Sequence, residues 1–206
     1  MNFCAAILAA MLLALGAKEA AVGARPPMWT ESQVWTANVK SDPVQPIHFG
    51  KLLLVLEKTT LADVRSALGS GAIFQNGDAG ESLSWLCYTF ASGMLDQTVW
   101  LSSSEMGGGE VIDGVTAMQL NSKSPALRNC ARLPRNYGSI HLANGLWLGA
   151  TEAQVLSALG KPQKHGDSWS YVFEGKDGEY AISSNLAFKL RGGKVIGIVS
   201  SRLTSN

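Results

Sequence analysis

One ten-residue stretch of this chain is written twice, and the repetition constrains the fold more than any other feature. TLADVRSALG begins at Thr60 and TEAQVLSALG begins at Thr151, with seven of the ten positions identical. Each copy opens on a threonine that suits a helix N-cap, and each closes on a glycine, Gly69 or Gly160, that suits a left-handed helix end. The sequence therefore predicts two matching helices of about nine residues, which are too short to be stable unless they pack on something.

The segments that follow each copy predict strands for these helices to lie on. SLSWLCYTF follows the first copy and DSWSYVFEG the second, aligned at a Ser-Trp pair, and GGEVIDGV matches GGKVIGIV further on. The segments are rich in β-branched and aromatic residues, and Gly, Asn or Asp separates them. We therefore expect an α+β fold of two tandem repeats, each a short helix packed on an antiparallel sheet of three to four strands.

The repeat also sets the expected domain boundaries. Residues 47–121 form the first α+β repeat and residues 140–206 the second, since IHF at the start of the first recurs as IHL at the start of the second. A linker, residues 122–139, joins the two. Residues 25–46 hold four of the seven prolines, and we expect them to form an extended N-terminal arm.

Residues 1–24 have the pattern of a secretory signal peptide. An apolar run from Cys4 to Ala17 is too short to cross a bilayer, and small residues follow it. Cleavage is expected after Ala17 or after Ala24. A buried N-terminal helix is the alternative, because the first three residues lack Lys and Arg. Cys4 stands too early for a lipid-attachment cysteine, so we expect a periplasmic or secreted protein with no stable membrane insertion after cleavage.

The expected export bears on whether the cysteines form a disulfide. Signal cleavage would remove Cys4 and leave Cys87 and Cys130, an even pair in an oxidising compartment. A disulfide between them would tie the first repeat to the linker and stabilise the fold by roughly 3–4 kcal/mol. Two buried free thiols are the alternative. Zinc binding by this pair is disfavoured because a zinc site wants three or four ligands.

The sequence lacks the motifs that carry common chemistries. It contains no G-x-S-x-G, H-E-x-x-H or P-loop motif, so we expect no enzyme activity, no cofactor and no metal site. His48 and His141, which the repeat pairs, have no third ligand nearby in sequence and are read as structural or surface residues. The net charge of +1 argues against a nucleic-acid partner. The linker is basic, and its cations are either solvated or a patch for an acidic partner: Lys123, Arg128, Arg132 and Arg135.

Differences between the two copies indicate where function lies. With the copies aligned at the Ser-Trp pair, the row of Trp85, Cys87 and Thr89 is expected to face the helix. The opposite row then forms an outer face that is apolar and aromatic, where the second repeat is partly polar. We predict that this outer face binds a partner through four residues: Leu86, Tyr88, Phe90 and Trp100.

Four such side chains would leave more apolar surface in water than a monomer usually exposes, so something has to cover them. The cover is internal, by the linker or by the arm with Trp29 and Trp35, or it is a protein partner, or it is a small apolar ligand. Aromatic side chains make good interface anchors because they bury a large area at a low entropic cost. All three covers stay open at the level of sequence.

Two resemblances bear on function. GLWLGATEAQVLSALGKP, WSYVF and GGKVIGI are similar to the SmpA/OmlA family of small outer-membrane assembly lipoproteins, and the tandem arrangement resembles β-lactamase inhibitor protein. The resemblance covers residues 47–204 and implies a fold that binds other proteins and has no chemistry of its own. The chain departs from those lipoproteins because it lacks their lipid-attachment cysteine and has two units where they have one.

Together these observations predict an exported, non-enzymatic protein-binding module of the bacterial cell envelope, acting as an inhibitor or as an assembly accessory. Its partner would be another envelope or secreted protein. The alternative is a small-molecule binder, or an enzyme whose site is assembled from distant loops. Phe74, Met94 and Met106 would line such a site.

Overall fold

One antiparallel sheet dominates the chain in a computed structural model. The structure describes residues 25–27, 29, 35–77, 82–92, 95–120, 124 and 129–206, and the predicted signal peptide lies outside these ranges. In chain order the strands and helices are β1 (Ile47–Phe49), β2 (Leu52–Leu54), α1 (Leu61–Leu68), β3 (Phe74–Asn76), β4 (Leu83–Ser92), β5 (Leu95–Ser104), β6 (Gly114–Leu120), β7 (Ala131–Arg132), β8 (Ile140–Leu142), α2 (Glu152–Leu159), β9 (Gln163–His165), β10 (Ser168–Asp177), β11 (Tyr180–Arg191) and β12 (Lys194–Ser205). Single 3-10 turns lie at Glu105–Gly107 and Arg135–Tyr137.

The strands form two sheets of unequal size. The larger has nine strands in the order β3-β4-β5-β6-β12-β11-β10-β9, with β7 pairing β4 in parallel at one side. The smaller has the order β2-β1-β8. Strands β6 and β12 pair antiparallel from Gly114 and Ser201 to Met118 and Gly197, which makes the large sheet continuous.

This continuous sheet corrects the predicted fold class. Strand makes up 49% of the residues that the structure describes, and these residues contain two α-helices of eight residues each. The fold is β-rich, and the expectation of two α+β repeats, each a helix on its own small sheet, is wrong. The physical reason is that separate sheets would leave the backbones of β6 and β12 as open edges, whereas their pairing satisfies both rows of hydrogen-bonding groups.

The duplicated stretches do form the two predicted helices. Thr60 and Thr151 cap them, and each accepts a hydrogen bond from the backbone N–H three residues on while that residue's side chain returns to the threonine N–H. Backbone bridges join Thr60 to Val111 and Thr151 to Lys194, so both helices begin at the same kind of position beside the sheet. The repeat is thus visible as matched positions within one sheet.

The main core lies between the helices and one face of the large sheet, called here the helix face. Side chains that alternate across β4, β5, β12 and β11 build it, including Leu86, Tyr88, Leu101, Ile198 and Phe188. The opposite face carries a smaller aromatic cluster of Trp85, Cys87 and Trp100. The helices are stable at eight residues because this core buries their apolar sides, Leu61, Val64 and Leu68 in α1 and Val155 in α2.

The expectation that Trp85, Cys87 and Thr89 face the helix is wrong, and the cause is one residue of register. In both halves a tyrosine after the helix donates to a carbonyl at the helix end: Tyr88 to Ser70 at 2.8 Å and Tyr171 to Gly160 at 2.9 Å. Two residues separate Trp85 from Tyr88, but only one separates Trp169 from Tyr171. Alignment at the tryptophans therefore places the first row one residue out, which turns every side chain to the other face.

The N-terminal arm wraps the far edge of the sheet. Asn38 donates its backbone N–H to the Val172 carbonyl at 2.9 Å and accepts from the Val172 N–H at 2.7 Å through its side chain. The Trp35 ring meets His165 edge-on at 4.6 Å, and Lys189 Nζ lies 6.0 Å from the centre of the Trp29 ring. Both arm tryptophans therefore dock on the body of the protein.

Candidate functional site

The four predicted partner-binding residues lie on two different faces. Leu86, Tyr88 and Phe90 lie on the helix face, and Trp100 stands opposite Cys87 on the other face. The side chains of Leu86, Tyr88 and Trp100 are fully buried, at 0% exposure. Because these three side chains are buried, the structure does not support a partner surface at their positions. Partner binding there stays a prediction.

The cover of these side chains is internal. Leu86 and Tyr88 pack in the core that α1 caps, and burial raises the pKa of the Tyr88 hydroxyl to about 12. Trp100 packs with Trp85 and Cys87, and Cys130 from the linker lies against this cluster. The linker was one of the two internal covers that the sequence suggested.

The predicted cysteine pair is confirmed. Cys87 and Cys130 lie at disulfide-bonding distance, with their Cα atoms 4.8 Å apart. The next two residues after Cys130 form β7, which pairs with β4 at Tyr88 and Thr89. The disulfide therefore fixes the linker directly beside the strand that carries the predicted residues.

Phe90 is half-buried and reaches a surface cleft, which we call the Phe90 cleft. Its volume is about 460 Å³, and its lining combines an apolar floor with two guanidinium groups: Phe90, Ala91, Arg132, Leu133, Arg135 and Gly138. The structure thus brings one predicted partner-binding residue together with two residues of the predicted basic linker. Lys123 and Arg128, the other two linker cations, lie outside the described residues.

Backbone contacts hold the rim of this cleft in place. The Leu133 N–H donates to the Thr89 carbonyl at 2.9 Å, which extends the pairing of β7 with β4. Arg135 opens the 3-10 turn that ends at Tyr137, and the Tyr137 hydroxyl donates to the Ala67 carbonyl in α1 at 3.0 Å. The arginines therefore project from a segment anchored to both β4 and α1.

The electrostatics of the Phe90 cleft are positive. Among the described residues, neither Arg132 nor Arg135 has an ion-pair partner, and both are exposed. Asp96 pairs with Ala91 across the β4–β5 ladder, on the face opposite to Phe90. Arg132 pairs with Thr89, which lies on that same opposite face. Arg135 follows β7 in the 3-10 turn. Two arginines in the lining of a cleft that an aromatic side chain also lines suit a carboxylate that carries an apolar neighbour.

A second cleft, which the sequence did not suggest as a whole, lies where β6 meets β12 on the face opposite to the helices. We call it the seam cleft; its volume is also about 460 Å³. Of the three residues expected in the alternative site, Met106 lines this cleft, Phe74 instead packs on Trp85 with ring centres 5.9 Å apart, and Met94 lies outside the described residues. The available signal was the runs of consecutive serines in β5, β11 and β12: Ser102 to Ser104, Ser183 with Ser184, and Ser200 with Ser201.

The two charged side chains among the residues of the seam cleft are already engaged. Asp113 accepts from the Ser104 N–H at 2.9 Å and from the Ser104 hydroxyl, and burial raises the pKa of its carboxyl. Arg202 binds Glu57 at 3.0 Å through Nε and also pairs with Asp42 in the arm. The cleft therefore presents neutral hydroxyl and amide groups.

The two histidines at equivalent positions of the repeat lie next to each other in the small sheet. His48 and His141 stand opposite each other on β1 and β8, and their rings stack with centres 4.9 Å apart. Within the described ranges, no group of three or more His, Cys, Asp or Glu side chains is placed to hold a metal ion. Nor does any helix there have the length and apolar character needed to cross a membrane.

Comparison with known proteins gives no relative for this chain. No family model matches the sequence, no curated protein matches it, and no solved structure matches the fold. The resemblances to the SmpA/OmlA family and to β-lactamase inhibitor protein accordingly stay predictions, and function has to be argued from the two clefts.

Proposed function

We propose that this protein is an exported, non-enzymatic protein-binding module of the bacterial cell envelope, and that it binds a partner at the Phe90 cleft. The observation that carries the proposal is the pair of arginines, Arg132 and Arg135, which line the same cleft as Phe90 and have no ion-pair partner among the described residues. Two such cations can bind an acidic group, and the apolar residues beside them can bury an apolar side chain of the same ligand.

The partner segment has a defined chemistry. It carries a carboxylate, from Asp, Glu or a chain terminus, next to an apolar or aromatic side chain that lies on Phe90. Charge complementarity selects the carboxylate, because the two charged residues in the lining of the cleft, Arg132 and Arg135, are both cations without a described ion-pair partner. An inhibitor of an envelope enzyme and an assembly accessory both fit this description.

Anchoring of the rim supports the proposal energetically. A binding site loses affinity when its side chains and loops have to be ordered on binding. Here the disulfide, the β7–β4 pairing and the hydrogen bond of Tyr137 to Ala67 hold residues 130–137 in place beforehand. The disulfide also agrees with export, since such bonds persist in oxidising compartments.

Fluorescence anisotropy with two labelled peptides tests the proposal. Both peptides are labelled at the N-terminus and amidated at the C-terminus. The first probe, GSGDFE, carries acidic groups around a phenylalanine, and the second, GSGNFQ, replaces them with amides, so that it contains no carboxylate. We expect the acidic probe to bind and the neutral probe to bind at least about tenfold more weakly. Increasing salt should reduce this difference in affinity.

Charge reversal locates the site. The double variant Arg132→Glu, Arg135→Glu should abolish binding of the acidic probe. The control is Arg191→Glu, an exposed arginine at the end of β11. Equal binding of the two probes, or acidic-probe binding that survives the double reversal, would exclude the Phe90 cleft as the binding site.

A further inference from the structure

The seam cleft has the character of a second binding site that is chemically unlike the first. Its floor is formed by β5, β6, β12 and β11, and its walls include Met106 and two prolines of the arm, Pro26 and Pro27. Its volume of about 460 Å³ falls in the range of small-molecule sites. The polar residues of its lining, apart from Asp113 and Arg202, are all uncharged: Ser102, Ser104, Thr116, Ser183, Asn185, Ser200 and Ser201.

The backbone of the floor cannot serve as a ligand partner. Strands β5 and β11 have a paired strand on both sides, and β6 and β12 pair with each other over Gly114–Met118 and Gly197–Ser201, so the N–H and C=O groups of these stretches are used in the ladders. Just beyond them, the Arg202 N–H donates to the Asp113 carbonyl. An extended peptide, which needs free backbone groups at a sheet edge, has nothing to pair with here. Any ligand has to be satisfied by side-chain hydroxyl and amide groups.

Those groups both donate and accept. The Thr116 and Ser201 hydroxyls have no hydrogen-bond partner among the described residues, while Asn185 accepts from Ser170 through Oδ1 at 2.6 Å and keeps its NH₂ as a donor. Gly114 keeps the floor low, since a Cβ there would lie 2.6 Å from the Ser102 hydroxyl oxygen. Between the polar groups lie apolar patches from Leu83, Val199, Leu203 and Met106.

We infer that the seam cleft binds a neutral saccharide of one or two rings. Sugar hydroxyls donate and accept as the serine, threonine and asparagine side chains do, and the C–H faces of a sugar ring suit the apolar patches. An anionic ligand finds no free cation, because Asp42 and Glu57 already engage Arg202. The carboxylate in the lining, Asp113, already accepts from the Ser104 N–H and hydroxyl at Oδ2, and its burial disfavours the charged form, so a cationic ligand gains little from it.

Saturation-transfer NMR and calorimetry with a defined panel test this inference. The probes are glucose, N-acetylglucosamine, maltose and chitobiose, with glucuronate as the charged counterpart of glucose. We expect at least one neutral saccharide to bind at millimolar concentration or better and glucuronate to bind more weakly than glucose. Absence of binding by all four neutral saccharides would overturn the inference.

Three variants assign the site. Ser201→Tyr fills the cleft and should abolish saccharide binding, Thr116→Val removes a hydroxyl at constant shape and should weaken binding several-fold, and Ser157→Tyr, on the exposed side of α2, should have no effect. Circular dichroism checks that each variant is folded. Saccharide binding that survives both Ser201→Tyr and Thr116→Val would also overturn the inference. None of these variants should change binding of the acidic peptide, so the proposals for the two clefts are tested independently.

Discussion

At the scale of single residues, Tyr88 and Tyr171 are the clearest trace of the repeat. Each donates its hydroxyl to a carbonyl just past a helix end, and burial raises the pKa of each to about 12 from 10.0. Since the folded state holds these protons more tightly than the unfolded state, the stability they contribute is complete below pH 10 and is lost as the pH rises towards 12.

The variants Tyr88→Phe and Tyr171→Phe should each lower the free energy of unfolding by about 1 kcal/mol at neutral pH, because a buried carbonyl loses its donor. The double variant should also lose less stability between pH 10 and pH 12 than the parent does. Urea unfolding followed by fluorescence measures both effects. Tyr180→Phe, at an exposed position, is the control and should change neither. Equal alkaline losses in parent and double variant would contradict the assignment.

Residue-level inference from sequence succeeded where chemistry alone decides the outcome. The pairing of Cys87 with Cys130 followed from cysteine number and expected compartment, and the threonine caps followed from helix-end chemistry. Sequence did not predict correctly which face of the sheet Leu86 and Trp85 occupy. The first copy has one more residue between tryptophan and tyrosine, and a shift of one residue moves every side chain of the strand to the other face. The equivalent tyrosines were the better guide to alignment, since their hydrogen bonds fix them to the helix ends.

At the scale of elements, the linker beside β4 decides whether the Phe90 cleft exists. It is held by the disulfide, by two residues of parallel pairing and by the 3-10 turn at Arg135–Tyr137. The sequence separation of 43 residues makes the disulfide a long-range constraint on the unfolded chain. The cleft and the stability of the fold should therefore depend on the same bond.

Replacement of both cysteines, Cys87→Ala with Cys130→Ala, should lower the free energy of unfolding by roughly 3–4 kcal/mol. It should also weaken binding of the acidic peptide, because the disulfide no longer holds Arg132 beside β4. Urea unfolding and anisotropy measure the two effects. Addition of a thiol reductant should lower the stability and the peptide affinity of the parent in the same way, and should leave the double variant unchanged. A reduced parent with undiminished stability and peptide affinity would contradict this role of the linker.

Element types were largely predictable, but their assembly was not. Short helices and β-rich segments follow from periodicity and composition, and both helices stand where the repeated stretches indicated them. Which strands meet across the chain depends on edge pairing over long sequence distances, which local patterns do not encode. The pairing of β6 with β12, and the seam cleft that lies over it, were therefore missed.

At the scale of the whole molecule, one sheet carries two unlike clefts. The Phe90 cleft combines positive charge with an aromatic floor, and the seam cleft on the opposite face is neutral and rich in hydroxyl groups. The arm crosses from one face to the other, with Asp42 bound to Ser184 at 2.7 Å and Trp35 against His165. Both halves and the arm thus belong to a single folded body.

Native-state hydrogen exchange on β6 and β12 tests this central claim most directly. If the large sheet is continuous, the paired amides of these two strands should exchange only through global unfolding, with the same opening free energy as those of β5 and β11. Exchange of the β6 and β12 amides through an opening of clearly lower free energy, with β5 and β11 still protected, would show two separable units and contradict the single sheet.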